Sequence, residues 1–507
     1  MNDIHLTDLH SILPALSLIV GGFAVVAAGT LVRPEKRQTV SEFLCYFALA
    51  FALATVFFRL AAPSLNSTDP VRAALEGFHG SVRLDDLALF MTLTVIAATG
   101  LTVVLSADTM KGLESAQGEY YGLLLLAAAG MMVLVEAMEL ITFFIALEVL
   151  SLALYALSGL LRRDARSNEA AIKYFVMGAF ASGFLLYGMA LLYGATGSIS
   201  IPQIGAQIAA GAIPEKAQSL VPLGFVLFAI GLAFKVGVVP FHQWVPDVYE
   251  GAPTSVTAFM SVAVKAAGFG VLLRLLLTAG RPEAETWGTL LWALSILTLV
   301  VGNLLAIGQS NVKRMLAYSS VAHTGYILAG VTSLRGAGAS VAQMQDAGAA
   351  AIYYLFVYTF MTLGAFAFLI YAGRGDKDAE EIGDFAGLAK RKPWAALAMT
   401  VFMVSLAGVP PTAGFFGKFL LFKAMVSAEE YTLVIVGVLS SAVSLYYYLR
   451  VVVYMYMKPE GEGAEAPRLG FNSALVVFAC ALFTLALGLL PAKYLSLSYQ
   501  SIHSLLR

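Results

Sequence analysis

The amino-acid sequence predicts an all-α, polytopic integral membrane protein with about fourteen transmembrane helices. The mean hydropathy of the 507 residues is +0.81, 59% of them are hydrophobic and only 12% are charged, which lies outside the range of soluble globular domains. Apolar windows long enough to cross a bilayer core of about 30 Å recur along the chain with short polar gaps between them. Lipid is therefore the expected solvent of most of this protein.

The apolar windows define fourteen candidate spans. They lie near residues 11–32, 41–62, 85–105, 120–137, 139–161, 169–195, 220–241, 254–279, 286–307, 312–333, 347–372, 394–427, 431–457 and 471–491. With the N-terminus in the periplasm, the cytoplasmic loops hold sixteen Lys and Arg residues and the opposite loops seven. This asymmetry follows the positive-inside rule and predicts a bacterial inner (plasma) membrane protein with both termini in the periplasm.

Composition also excludes several kinds of site. The formal net charge is −1 and no dense basic face is present, so nucleic acid is not an expected partner. The two cysteines, Cys45 and Cys480, are too few for an iron–sulfur cluster, which takes about four ligands. Dinucleotide, Walker and zinc-protease motifs are missing from the sequence. We therefore expect no metal, cofactor or redox group on this chain.

Four ionisable residues lie deep inside predicted spans: Glu148, Lys235, Lys265 and Lys418. An ionised side chain at this depth costs several kcal/mol by insertion scales, so each is expected to face the protein interior, a partner charge or water. Five other basic residues lie nearer span ends, where their side chains can reach the interface: Arg59, Lys173, Arg274, Lys423 and Arg450. The four central residues are the primary candidates for a functional site.

A buried glutamate and lysine can act together as a protonation switch. Burial disfavours the charged form of either group, whereas a nearby opposite charge favours it. A lysine paired with Glu148 would hold its proton, and a lysine separated from it could release one, so Lys235 and Glu148 indicate a proton relay. A static ion pair that fixes helix packing is the alternative reading, and a purely structural role is also open for Lys265.

Prolines and glycines lie close to two of the lysines. The sequence K-V-G-V-V-P follows from Lys235, and G-V-P-P-T-A-G-F-F-G-K ends at Lys418. Proline removes a helical hydrogen bond, and such breaks persist in membranes where they line a hydrated cavity. The two breaks fall in spans seven and twelve, an odd offset that predicts opposite orientations and hence inverted repeats. The alternative is that the prolines only kink packed helices.

Two histidines are weaker candidates for a proton relay. His323 lies in AYSSVAHTGYILAG inside span ten, where proton transfer or a hydrogen-bonded structural role fits equally well. His242 lies at a cytoplasmic span end beside Asp247 and Glu250, where a proton-uptake funnel or a plain loop contact fits equally well. The tyrosines of spans eleven and thirteen are interpreted as packing or interface residues.

These motifs resemble a known family, the antiporter-like membrane subunits of respiratory complex I, which is shared with Mrp-type sodium/proton antiporters. The most specific stretch is FKVGVVPFHQWVPDVYEGAPTSVTAFMSVAVKAAGF at residues 234–269. ALEVLSLALYAL around Glu148, SSVAHTGY around His323 and GVPPTAGFFGKF around Lys418 are similar to the N-type pattern of the family. The resemblance covers nearly the whole chain.

The resemblance implies a single membrane domain built on two inverted five-helix repeats with discontinuous helices seven and twelve. The three N-terminal spans would occupy residues 1–118, the first repeat 119–279, the second repeat 280–457, and a loop with the last span 458–507. In the family, Glu148 would pair with Lys235, and Lys265 would connect through a hydrated axis to Lys418. These positions follow the family pattern.

The implied function is proton translocation within an NADH:quinone oxidoreductase. Flavin (FMN), iron–sulfur clusters, NADH and quinone would be bound by other subunits, and the partners would be a neighbouring antiporter-like subunit, small membrane subunits and lipid. A subunit of an Mrp-type antiporter or of a hydrogenase-linked ion pump is the alternative, because the same Lys and Glu residues would serve it. A membrane scaffold whose buried charges only fix assembly is a third reading.

Overall fold

The computed structural model describes residues 5–61, 74–110, 117–335, 339–373, 377–459 and 470–506. These residues form α-helices joined by short connections, with one two-stranded hairpin among them. Twelve of the described helices are long and apolar enough to cross a membrane. The predicted all-α membrane fold is confirmed.

The N-terminal part combines three long helices with a small hairpin. Asp85 begins the fourth helix as its N-cap, and its carboxylate accepts a hydrogen bond from the Ala88 amide. The hairpin strands pair antiparallel, with Leu75 opposite Leu84. The elements are α1 (Leu6–Ser11), α2 (Leu13–Leu31), α3 (Pro34–Ala61), β1 (Leu75–Gly77), β2 (Val82–Leu84) and α4 (Asp86–Thr109).

The next part of the chain carries Glu148, Lys235 and Lys265. A π-helical turn, Met260–Val264, joins α11 to α12, so that the three form one continuous helix. The helices are α5 (Gln117–Glu136), α6 (Leu140–Ser158), α7 (Ala165–Thr196), α8 (Ile201–Ala209), α9 (Leu220–Val236), α10 (Trp244–Gly251), α11 (Thr254–Phe259) and α12 (Lys265–Leu277).

The remaining helices carry His323 and Lys418. They are α13 (Ala284–Ile307), α14 (Val312–Thr332), α15 (Val341–Tyr371), α16 (Leu388–Arg391), α17 (Pro393–Ala407), α18 (Ala413–Ser427), α19 (Tyr431–Met457), α20 (Phe471–Leu489) and α21 (Ala492–His503). Four single turns of 3-10 helix complete the described elements: Phe78–Gly80, Glu215–Ala217, Arg281–Glu283 and Ile382–Phe385.

Two helices are interrupted where the sequence predicts it. Helix α9 ends at Val236, and Gly237 follows with φ of 78°. Helix α17 ends at Ala407, Gly408 follows with φ of 87°, and the chain resumes as α18. Glycine fits both positions because a left-handed φ is costly for other residues. The discontinuities of helices seven and twelve are confirmed, whereas the repeat and domain boundaries stay a prediction.

Two predicted spans are not among the twelve apolar helices. Span twelve is divided into α17 and α18, each of 15 residues. Span ten is α14, which is buried along almost all of its length and carries several polar side chains. With these two, the described helices account for the fourteen predicted spans.

The centre of the protein is formed by the least exposed helices. The most apolar stretch within each of the segments Thr254–Leu277 and Val341–Tyr371 is completely buried. Helices α2, α3 and α7 expose large apolar side chains on the outside, among them Phe58 and Phe180. Such outward apolar surface suits contact with lipid or other membrane proteins. The candidate lysines lie in or against the buried centre.

Candidate functional site

Lys235 lies at the end of α9, where it is buried and bound by hydroxyl groups. Its Nζ donates to Ser151 Oγ at 2.8 Å and to Tyr174 OH at 3.4 Å. The ammonium also lies over the rings of Tyr155 and Tyr174, at 5.6 and 5.3 Å from their centroids. Hydroxyl oxygens and π faces both stabilise a cation in a site of low polarity.

Glu148 lies on α6, three residues before Ser151, and is only partly buried. Its Oε1 accepts a hydrogen bond from Ser182 Oγ at 2.6 Å. No ion pair joins Glu148 to Lys235 among the described residues. The structure therefore shows the two groups apart, each held by its own serine, rather than as the closed pair that the resemblance implies.

Lys265 begins α12 and binds the broken end of α9. Its Nζ donates to the Val236 carbonyl at 2.9 Å and makes a short contact with Thr324 Oγ1. Thr324 also donates to the Val236 carbonyl, at 2.9 Å. The break at Gly237 leaves this carbonyl without a helical partner, and carbonyls at a helix C-terminus attract cations. Lys265 thus joins α9, α12 and α14.

Lys418 occupies the corresponding place at the second break. Its Nζ donates to the Leu406 and Ala407 carbonyls at 3.0 and 3.2 Å and to Ser441 Oγ at 3.1 Å. The ammonium lies 4.5 Å from the centroid of the Tyr326 ring. As at Lys265, a buried lysine binds the final carbonyls of an interrupted helix with the help of a hydroxyl group.

His323 lies on α14 between the two lysine sites. One ring nitrogen, Nδ1, is 2.6 Å from Tyr354 OH, and the other, Nε2, is 3.1 Å from Tyr448 OH. His323 is the chain neighbour of Thr324, which contacts Lys265, and Tyr354 packs against Gly417, the neighbour of Lys418. Buried polar groups therefore extend from Lys265 through His323 towards Lys418.

The prediction that His242 lies at a span end is wrong, because the chain continues as α10 and His242 lies in the break between α9 and α10. Asp247 and Glu250, its neighbours in sequence, instead bind Arg314, whose guanidinium is 2.9 and 2.6 Å from their carboxylates. Asp247 also pairs with Lys173 at 2.8 Å. Burial alone would raise the pKa of Asp247, but the hydrogen bonds from Lys173 and Arg314 outweigh it and lower the pKa. The role of His242 stays a prediction.

A polar cavity of about 690 Å³ lies beside this network, at the end that the positive-inside rule assigns to the cytoplasm. It is lined by Glu250, Lys313 and Glu380, among others. Lys313 is almost completely buried and donates to the Glu250 and Ala252 carbonyls and to the Glu380 carboxylate at 3.2 Å. Lys313 is therefore a buried cation in the lining of the cavity.

Arg274 lies near the end of α12, as predicted, but its side chain does not reach the surface. Its side chain is 1% exposed and forms a two-pronged ion pair with Asp85, with N–O distances of 2.7 and 2.8 Å. The N-cap position of Asp85 directs its carboxylate into the bundle, which gives the guanidinium a partner inside the protein. Glu136, which the sequence analysis did not single out, is also completely buried at this end.

Sequence reasoning missed the hydroxyl groups that connect the charged residues. Ser151, Thr324, Tyr354 and Tyr448 all bind a candidate residue. The tyrosines were interpreted as packing residues because an aromatic side chain in an apolar helix carries no signal for its hydroxyl partner. The sequence carried no signal for these contacts, because apolar periodicity does not reveal which helix faces pack together in lipid.

Comparison with known proteins defines the class of the chain. The family model described as NADH:quinone oxidoreductase/Mrp antiporter, TM, matches residues 137–444, which is more than half of the chain. The chain belongs to this family of antiporter-like membrane subunits. The match includes all four central candidate residues.

Relatives that match this chain along its whole length identify its place in the family more specifically. Subunit N of NADH-quinone oxidoreductase from Trichlorobacter lovleyi is 41% identical over 495 residues, which cover 98% of this chain and 97% of that protein. Subunit N from Myxococcus xanthus is 42% identical over 512 residues, with 96% of each protein covered. The resemblance to N-type members is confirmed, and within the family the chain groups with subunit N.

Solved structures share the fold. A chain of respiratory complex I from Thermus thermophilus, solved with bound aureothin, matches with a TM-score of 0.76 at 34% identity, covering 95% of this chain and 98% of that one. A chain of the Mrp complex from Dietzia sp. DQ12-45-1b matches with a TM-score of 0.80 at 23% identity, covering 99% and 98%. The second match supports the fold alone.

Proposed function

We propose that this chain is a proton-translocating membrane subunit of NADH:quinone oxidoreductase. It would couple NADH oxidation and quinone reduction, which take place in other subunits, to proton transfer through Glu148, Lys235, Lys265 and Lys418. The observation that carries the proposal is the row of buried lysines, each bound to hydroxyl groups or to carbonyls freed by a helix break. Such partners can accept a hydrogen bond from an ammonium but supply no fixed negative charge, so each lysine can lose its proton.

The first step of the proposed relay is a change in the Glu148–Lys235 separation. Ser151, which binds Lys235, and Glu148 are three residues apart on α6, and residues at this spacing are neighbours on a helix surface. Movement of the ammonium from Ser151 to Glu148 keeps the proton on the lysine because the carboxylate favours the charged form. Return of the ammonium to Ser151 separates it from the carboxylate and favours proton release towards the centre of the protein.

Lys265, His323 and Lys418 continue the proposed route. The hydroxyl and imidazole groups between the lysines can each donate and accept, which suits stepwise proton transfer. Protons would enter from the cytoplasmic side, where the polar cavity lies, and leave towards the periplasm, with His242 as a further candidate relay group. Flavin, iron–sulfur centres, NADH and quinone belong to partner subunits, and the partly exposed Glu148 suits contact with a neighbouring membrane subunit.

The test replaces Lys235 with alanine in the assembled complex. Inverted membrane vesicles carrying Lys235→Ala are compared with wild type for NADH-driven acidification, NADH-to-quinone electron flow and the amount of complex. Lys216→Ala, which removes a lysine from the exposed turn Glu215–Ala217, is the matched control. We expect normal assembly with loss of pumping, alone or together with electron flow, in Lys235→Ala only.

Three results would contradict the proposal. Wild-type pumping and electron flow in Lys235→Ala would assign the lysine to packing. A smaller amount of complex with unchanged pumping per electron would support the scaffold reading instead. Acidification that requires sodium ions in the medium would favour the antiporter alternative, because a proton relay needs no sodium.

A further inference from the structure

A second group of buried ionisable residues lies at the opposite end of α12 from Lys265. Glu136, the last residue of α5, has no exposed surface, and neither of its carboxylate oxygens has a hydrogen-bond partner among the described residues. Arg274 lies close to it: its Nε donates at 2.7 Å to the carbonyl of Val135, the residue before Glu136. Asp85 is the other acidic group close to it.

The charges in this group do not balance if both acids are ionised. Two guanidinium nitrogens of Arg274 bind Asp85, which also accepts from the Ala88 amide, and the third binds the Val135 carbonyl, so none is left for Glu136. A second carboxylate with no donor among the described residues would carry an uncompensated buried charge, which costs several kcal/mol. In this arrangement Glu136 is therefore the neutral, protonated member of the group.

A large cavity lies next to the group. It has a volume of about 1070 Å³ and is lined by Arg83, Met138, Glu139 and residues 197–200, among others. Met138 also touches the buried group, because its sulfur lies 3.5 Å from Arg274 Nη1. One side chain thus belongs both to the wall of the cavity and to the surroundings of the ion pair. The positive-inside rule assigns this end of the helices to the periplasm.

Helix α12 connects the group to the lysine row. Arg274 follows Lys265 by nine residues, which corresponds to about 14 Å along a helix. Between them, α12 packs closely on α4 and α5, since a Cβ at Gly270 would lie 3.1 Å from Met91 and 3.2 Å from Val135. The two sites are therefore separated by a closely packed contact but lie on one helix.

We propose that Glu136 is a proton-releasing group on the periplasmic side and that Arg274 switches between Asp85 and Glu136. This inference rests on the proposed function. With the guanidinium on Asp85, Glu136 holds a proton. When the guanidinium moves to Glu136, that carboxyl becomes the ionised partner and its proton leaves into the cavity past Met138, while Asp85 takes up one proton that arrives from the relay. Net charge is unchanged, and one proton has advanced.

The experiment uses the assembled complex with Glu136→Gln. Glu285→Gln, which alters an exposed glutamate at the start of α13 on the same side, is the control. The infrared spectrum of a protonated buried carboxyl contains a carbonyl-stretch band that ionised carboxylates lack. We expect this band in wild type and Glu285→Gln at neutral pH, its loss in Glu136→Gln, and a lower ratio of protons pumped to electrons transferred in Glu136→Gln only.

Each outcome has a defined meaning. A band that survives in Glu136→Gln, or a wild-type proton-to-electron ratio in that variant, overturns the proposal. If Glu136→Gln fails to assemble, Glu136→Met, which places no polar group in the apolar site, is measured in the same way. Full pumping by Lys235→Ala would refute the lysine relay, whereas the infrared band depends on Glu136 alone and separates the two failures.

Discussion

Replacement of Arg274 by methionine tests whether the buried pair with Asp85 stabilises the helix bundle. The guanidinium makes three short hydrogen bonds, two to Asp85 and one to the Val135 carbonyl, and both charged side chains are at most 3% exposed. Removal of one partner from such a pair costs about 3–5 kcal/mol, because the other charge is left uncompensated. This corresponds to about two to four orders of magnitude in a folding equilibrium constant.

The measurement is the fraction of complex that stays assembled after brief heating in detergent. Arg335→Met is the control, since its pair with Glu430 is partly exposed and such a pair contributes at most about 1 kcal/mol. We expect Arg274→Met to dissociate at a clearly lower temperature than the control. The double variant Asp85→Asn/Arg274→Met should recover part of the loss because neither charge is stranded. Equal midpoints for Arg274→Met and Arg335→Met would refute this reasoning.

Two further substitutions test the lysine row. Gly237→Ala places a Cβ on a left-handed backbone, 2.9 Å from Val245, at a cost of about 1–2 kcal/mol. We expect the number of protons pumped per electron to fall. The control is Gly308→Ala, where a Cβ meets open space, and equal pumping by the two variants would contradict the expectation. Tyr354→Phe removes the hydroxyl partner of His323 Nδ1 but keeps the aromatic ring. We expect slower proton pumping with normal assembly. An unchanged pumping rate would show that this tyrosine serves only in packing.

The membrane fold was predictable because its determinants are local. Apolar length alone gives the positions of the spans, and the sequences around Gly237 and Gly408 predict the two helix breaks that the structure contains. The observed helix boundaries differ from the predicted ones where side chains cap the helices. Helix α4, for example, begins directly after its N-cap Asp85. The more polar helix α14 was also among the spans predicted from apolar windows, at residues 312–333.

The surroundings of the charged residues were not predictable in the same way. In lipid, apolar periodicity does not reveal which face of a helix is inside, so the position of Arg274 near a span end could not indicate its buried partner. Asp85 is 189 residues away in sequence. Glu136 was not singled out for the same reason: its burial depends on packing between helices that the sequence does not reveal.

Helix α14 has a consequence for how the protein enters the membrane during synthesis. Alone it lacks the hydropathy of the other spans, so partition into lipid gives it little driving force. It lies against α13 at two glycine contacts, where a Cβ at Gly302 would lie 2.7 Å from the Ala322 amide and one at Gly325 would lie 2.8 Å from the Leu299 amide. The two helices therefore suit insertion as one hairpin, with the apolar α13 carrying the histidine-bearing helix out of the translocation channel.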